Sequence, residues 1–393
     1  MKSLKFMLTA CVAAVALTSC EKEDIVPQAQ NTRMKSVEVS LENVAFSATR
    51  GAAGSKITNG QAVVVNDFKI FLTDDAGNEY PAKVADGSAD SKTYWSAEDL
   101  SSGNLPTEAN FHYVDHGCIK IVAVANLGED MSYSKFLQMG NLKIEGEQNQ
   151  TDLSLYAEDY LTLSNEQHSD ANVDNTIYAS DVYKAELTLT PRIARFEVDG
   201  FSVRFNPTPT HQEIQITDLL FQHYDNETSL KTGTEAGNHI KHIADLNNQT
   251  EVYNWFNKTY SEAWDWDHFA TPLVIKAADA VNNIAVADTP TPLAYHAFAG
   301  TTIPTMVIKL VVDGQPAYLY SKGFYSSEKM ENGAPAKITE FEEGKIYRMS
   351  AAGKALGDGS IPIDEDDIDP MDRCLEITVD VVDWVVEFVF PEF

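Results

Sequence analysis

Short stretches in which apolar and polar residues alternate, cut by Gly, Pro, Asn and Asp, run through most of this chain and leave little room for anything but sheet. Residues 37–41 (Val-Glu-Val-Ser-Leu), 63–65, 68–72, 118–124, 187–189, 195–198, 214–216, 306–312 and 317–320 each read as a strand. Side chains on an extended backbone point to opposite faces in turn, so a period of two is the mark of a half-buried strand. Asp74-Asp75-Ala76-Gly77-Asn78 is a turn of the kind that joins hairpin strands. Helical periodicity is scarce, with residues 135–139 the best of it. Many short strands separated by turn residues predict an all-β chain built from antiparallel β-sandwiches with few short helices. A length of 393 residues suits two such domains, placed at residues 51–186 and 187–393.

The strongest pattern lies at the carboxyl end. Leu375, Ile377, Val379 and Val381 share one face, then the parity changes and Val382, Trp384, Val386, Phe388 and Phe390 align. One long strand with a bulge near 381–382 fits, and so do two strand halves that serve different sheets. The acidic run 364–369 ahead of it reads as a self-repelling hinge that does not pack. A strand hung on such a hinge is expected to reach away from its own domain. At the other end, Val44 and Phe46 continue the strand of residues 37–41 on the opposite parity. That strand stops at Ser47-Ala48-Thr49-Arg50-Gly51-Ala52-Ala53-Gly54-Ser55, a small-residue loop whose lone arginine suits a trypsin-like protease.

The first twenty residues are an address. Lys2 and Lys5 precede an apolar run over residues 6–17, then Leu17-Thr18-Ser19-Cys20 and an acidic cluster at Glu21, Glu23 and Asp24. A charged start, an apolar stretch too short to span a bilayer and small residues before a cleavage point make a secretory signal. Leucine three positions ahead of a cysteine is the bacterial lipobox, so residues 1–20 read as a lipoprotein signal peptide ending before Cys20, the lipidated residue. Several acyl chains on Cys20 anchor durably where one does not. Residues 21–50 follow as a propeptide: a polar tether and then the first strand.

Acidic residues outnumber basic ones 59 to 29, for a formal charge of -30. Such a field repels nucleic acid and anionic headgroups, leaving the lipid as the sole membrane attachment. Of four cysteines, Cys118 reads as a buried thiol and Cys374 as the start of the last strand, with a disulfide between them left open. His239 with His242, and His112 with His116, have helix-face spacing but sit in no convincing helix, so no metal site, cofactor or catalytic group is expected. The acidic run 364–369 lacks the glycine and distal glutamate of an EF-hand loop. Trp255, Trp264 and Trp266 form an aromatic-dense insertion that reads either as a sugar-binding surface or as a loop packed on the second sandwich or a neighbouring subunit.

Several segments together resemble the fimbrillins, the subunits of type V pili. They are the lipobox with its acidic followers, Ile121-Val122-Ala123-Val124-Ala125-Asn126-Leu127, residues 187–198 (Leu-Thr-Leu-Thr-Pro-Arg-Ile-Ala-Arg-Phe-Glu-Val), Phe341-Glu342-Glu343-Gly344-Lys345-Ile346-Tyr347, and residues 375–384 with their Asp-Trp pair. Their order spans nearly the whole chain. The resemblance implies transthyretin-like, Greek-key sandwiches and a non-enzymatic structural subunit, most simply a stalk pilin. It implies export as an outer-membrane lipoprotein, then residence in a surface fimbrium that supports adhesion. It also implies that an arginine-specific protease removes lipid and first strand together. Here that cut falls between Arg50 and Gly51, with Arg33 a rival that leaves the strand in place. The opened groove then takes the terminal strand 375–390 of another copy or a related pilus subunit, through Leu375, Ile377, Val379, Val381, Trp384, Val386 and Phe388. Burying four or five of these side chains is worth about 6 to 15 kcal/mol before ordering costs. The alternatives are a tip or anchor subunit of the same pilus, or a surface lipoprotein that binds glycans; the receptor is a host protein or glycan.

Overall fold

The computed structural model describes residues 34–42, 44–47, 62–101, 108–149, 152–164, 182–234, 237–257, 264–331, 333–350, 360–368, 373–383 and 385–389. Strands dominate them. The first half supplies β1 (Lys35–Glu42), β2 (Val44–Ser47), β3 (Ala62–Val64), β4 (Phe68–Thr73), β5 (Tyr94–Trp95), β6 (Glu108–Val114), β7 (Lys120–Ala125), β8 (Leu142–Lys143), β9 (Leu155–Tyr160), β10 (Thr162–Ser164), β11 (Val182–Thr188) and β12 (Thr190–Pro191). The second supplies β13 (Ile193–Arg204), β14 (Glu213–Gln222), β15 (Tyr224–Asp225), β16 (Glu227–Thr228), β17 (His239–Ile240), β18 (Trp266–Lys276), β19 (Ile284–Phe298), β20 (Thr305–Val312), β21 (Gln315–Glu331), β22 (Ala334–Lys337), β23 (Lys345–Ser350), β24 (Ser360–Asp364), β25 (Cys374–Asp383) and β26 (Val385–Val389).

In the first half two sheets face each other, ordered β10-β11-β1-β6 and β12-β9-β7-β4-β5. Val37, Val39 and Phe111 from one and Ile70, Leu72, Ile121 and Ala123 from the other are all buried in one apolar core. That is the alternation of the sequence put to use: odd positions of β1 enter the core while Glu38 and Ser40 stay partly exposed. The expected short helix forms over Tyr133–Leu137, where the Ser132 side chain caps the Lys135 N–H.

The second half departs from two separate sheets. A single ten-stranded sheet runs β18-β14-β20-β21-β25-β23-β13-β19, with β22 added to β21 and β24 to β13. Four strands separate β14 from β13 in that order, yet the rings of Phe221 and Phe196 lie 5.0 Å apart. The sheet therefore curls over and packs on itself. Phe196 sits at the centre, stacked 5.5 Å from Tyr347 and edge-on to Phe341 at 4.8 Å.

The chain passes from the first set of sheets to the second between Pro191 of β12 and Ile193 of β13, so the position 186/187 lies inside β11. The pairing is also less uniformly antiparallel than the turn-rich sequence suggests. β1 runs parallel to β11, β13 to β23 and β24, β25 to β21, and β26 to both β2 and β3. Each of these pairs joins strands with no hairpin between them, so no tight turn imposes an antiparallel direction.

Candidate functional site

β1 occupies a closed slot. Its β11 edge is paired from Ser36↔Val182 to Glu42↔Thr188, and its β6 edge from Lys35↔Val114 to Ser40↔Glu108. Val37 and Val39 are fully buried and Leu41 packs against the same core. The start of the slot is polar but satisfied. The Lys35 ammonium is buried, donates to the Cys118 carbonyl and lies 4.5 Å over the Tyr183 ring. Ser36 Oγ is 3.1 Å from His112 Nδ1. Glu38 pairs in register with Lys184, whose Nζ lies 3.7 Å from its carboxylate. Withdrawing β1 would leave two rows of unpaired backbone groups facing a strand-wide gap over apolar side chains, which is a template for another strand.

The terminal segment divides in two. Residues 374–383 form β25, parallel to β21 on one side and antiparallel to β23 on the other, with Leu375, Ile377 and Val379 buried. The stretch expected to reach away from its own domain is thus a central strand of it, because both edges find partners and its apolar face completes the core. Residues 385–389 form β26 and leave that sheet. They pair in parallel with β2 (Val44↔Val386 to Ser47↔Val389) and with β3 (Val385↔Ala62 to Glu387↔Val64). Of the two strand patterns that fit the parity change, the structure has the halves serving different sheets. The backbones of Val381 and Val386 belong to β25 and β26, as does that of Phe388, whereas Trp384 lies outside the described residues.

Cys20, Arg33, Arg50 and Gly51 also lie outside the described residues. Arg50 and Gly51 nevertheless fall in sequence between β2 and β3.

The acidic run corrects an expectation. Glu365–Ile368 is a turn of 3-10 helix, and Glu365 is buried, accepting from the backbone N–H groups of Asn206 and His211. Two amide donors satisfy its carboxylate, so this part of the hinge packs. His239 and His242 contact different aspartates, Asp225 at 2.9 Å and Asp265 at 2.5 Å, and do not converge. Cys118 and Cys374 are both free thiols, and burial pushes the Cys118 thiol up to about 11.

The aromatic insertion packs inward. Trp255 lies on the helix Gln249–Phe256, is 3% exposed and meets Phe256 and Trp266 edge-on at 5.0 and 5.7 Å. Trp264 packs on Tyr224 at 5.4 Å, and Trp266 is partly buried against the same cluster as Trp255. The spacing of aromatics on the helix could have shown this: Val252, Trp255 and Phe256 share its buried face.

No sequence family matches the chain, and no curated protein does. Solved structures do resemble it. A fimbrilin of Porphyromonas gingivalis is 12% identical, over 90% of this chain and 99% of that one, with a TM-score of 0.49. A Parabacteroides distasonis protein assigned to cell adhesion is 16% identical, over 90% and 98%, also at 0.49. The tip fimbrial protein Mfa3 of P. gingivalis, solved with a C-terminal truncation, is 9% identical over 89% and 100% at 0.34.

Proposed function

We propose that the chain is a structural subunit of a surface fimbrium, matured by proteolysis and polymerised when its C-terminal segment fills the slot vacated in another copy. One observation carries this reading. β1, which precedes Arg50 in sequence, is a fully paired central strand and not an edge. A cut between Arg50 and Gly51 severs it from the rest of the chain while leaving both walls of its slot in the mature piece. Refilling that slot by strand addition restores the backbone ladder and reburies the apolar row. Because the donor and acceptor are different surfaces, each joint leaves a free end and a filament grows.

Before the cut, Cys20 carries the lipid that holds the precursor on the outer membrane; afterwards the subunit belongs to the fimbrium. As a stalk pilin its partners are other copies, related pilus subunits and the arginine-specific protease. Adhesion to a host protein or glycan is then a property of the assembled filament.

The test is digestion of purified precursor with an arginine-specific protease. A new terminus at Gly51 by mass spectrometry should appear together with heat-sensitive ladders on a denaturing gel. Arg50→Ala should remain monomeric. A precursor cut at Gly51 that shows no ladder at any concentration sinks the reading.

A further inference from the structure

We propose that the cavity where β21 bulges against β22 binds a carboxylated sugar, a uronic or sialic acid residue, through Lys329, Lys337 and the Tyr347 hydroxyl. The site stands apart from the strand-exchange reading, because every residue that lines it lies far beyond Arg50 in sequence.

The bulge is what opens the cavity. β22 keeps register with β21 at Glu331↔Ala334 and Met330↔Pro335, and again at Tyr325↔Lys337. Between those points residues 326–329 of β21 stand against Ala336 alone, so the longer strand swells away from the shorter. Ser326 Oγ accepts from the Lys329 N–H at 3.1 Å and closes the swelling on itself. The result is a cavity of about 390 Å³, walled by residues of β21, β22, β23 and the loop that joins the last two.

Its walls carry donors that the protein does not use. Tyr347 is 2% exposed, its oxygen accepts from the Glu342 N–H at 2.8 Å, and no acceptor for its own proton lies among the described residues. Burial pushes that hydroxyl up to about 12, with the Glu342 and Glu340 charges adding to the shift, so it stays protonated and can donate. Lys329 and Lys337 line the same cavity, and neither has an ion-pair partner among the described residues. The Lys337 stem crosses Gly323, where an added Cβ would meet its Cε at 3.0 Å, so the glycine leaves room for the lysine. In a chain with 59 acidic and 29 basic residues, ammonium groups do not go unpaired for want of carboxylates.

The balance of charge selects the ligand. Three lysines, with Lys345 the third, face the carboxylates of Glu340 and Glu342, which leaves one positive charge in excess. A phosphate or sulfate group, with close to two negative charges, overshoots that excess and is repelled by both glutamates. A single carboxylate matches it. Hydroxyl groups beside that carboxylate both donate and accept, so they serve the glutamates as well as Tyr347 and the lysines. A small ring that carries one carboxylate and several hydroxyls is a sugar acid. The volume suits a small-molecule ligand, and Ala336 and Ile338 are the only aliphatic residues in the lining, too little for the apolar side chains of a peptide.

The test is titration of the purified full chain with methyl glucuronide and with N-acetylneuraminic acid, read by saturation-transfer NMR. Glucose, inorganic phosphate and N-acetylglutamate are the comparisons. At least one sugar acid should bind saturably, and the tighter of the two separates a uronic from a sialic source. Glucose and phosphate should bind weaker by about tenfold or more, the loss expected for a charge-assisted hydrogen bond. Lys329→Gln and Lys337→Gln together change two exposed side chains, and should weaken sugar-acid binding on the order of tenfold at an unchanged urea midpoint. Tyr347→Phe keeps the ring stacked on Phe196 and should weaken binding through the lost donor. Lys276→Gln, whose ammonium already lies 3.6 Å from the Glu213 carboxylate, should bind as wild type does. Affinity should be the same before and after cutting at Arg50, whether or not ladders form, so failure here and failure of strand exchange are told apart. Absence of saturable binding by both sugar acids, equal binding of glucose or phosphate, or wild-type affinity in the double lysine variant overturns the site. Tighter binding of N-acetylglutamate than of either sugar acid overturns the ligand class.

Discussion

Glu38 and Lys184 face each other in register across the parallel ladder of β1 and β11, with Nζ 3.7 Å from the carboxylate and both side chains partly exposed. The pair lies where an incoming strand would have to lie. Exposed ion pairs contribute about 0.2 to 1 kcal/mol, so Lys184→Glu, which turns attraction into repulsion, should weaken retention of the cut propeptide by a few-fold. Propeptide release after digestion, timed by size-exclusion chromatography, measures it. Release no faster than from the unmodified chain would show that the pair does not contribute to holding β1.

Val37 and Val39 offer a test with its own control. Each is buried to 1% or less, so Val37→Ala or Val39→Ala should cost the uncut chain about 2 kcal/mol. Both residues leave with the propeptide, so the cut chain should be indistinguishable from wild type. Urea denaturation of the two forms separates the outcomes: a loss that survives cutting means β1 never left.

The contrast between β1 and Glu365 shows what a sequence holds. The alternation at 37–41 and 375–379 set the strands and their buried face correctly, because side-chain direction on an extended backbone is local. That β1 is a central strand, parallel to β11, was not legible, since the partner lies well over a hundred residues away and no hairpin connects them. Glu365 looked solvated amid like charges. Its burial depends on amides at Asn206 and His211, which are 159 and 154 residues distant. The slot's residues could be found by pattern, but the closed slot itself arises from pairing over long separations.

The aromatic insertion predicts a stability effect. Trp255 is almost wholly enclosed by Phe256, Trp266 and their neighbours, so Trp255→Ala should destabilise the chain by about 3 to 5 kcal/mol. Polysaccharide binding by the folded variant should match that of the wild type. Saturable binding that disappears with Trp255 alone, at unchanged stability, would revive the glycan-binding alternative.

His296 predicts a pH dependence. Its Nδ1 lies 2.7 Å from the Glu147 carbonyl, which only accepts, so that nitrogen carries the proton and Nε2 accepts from Arg195 Nη1 at 3.1 Å. Complete burial, then the Arg195 charge, hold the imidazole down to about 3, against a partial upward pull from the Glu147 carbonyl. An unfolded histidine titrates near 6.5, so between about pH 6.5 and 3 the unfolded chain binds a proton that the native one refuses. The stabilisation from the neutral ring is therefore complete above that window and drains away as pH falls through it, by up to a few kcal/mol. Carboxylates titrate over the same range, so the informative quantity is a difference. His296→Gln keeps a hydrogen-bonding side chain but cannot titrate, and from pH 7 to pH 4 it should lose less stability in urea than wild type does. Equal losses in the two proteins would mean that the imidazole between Arg195 and Glu147 is not held neutral by the fold.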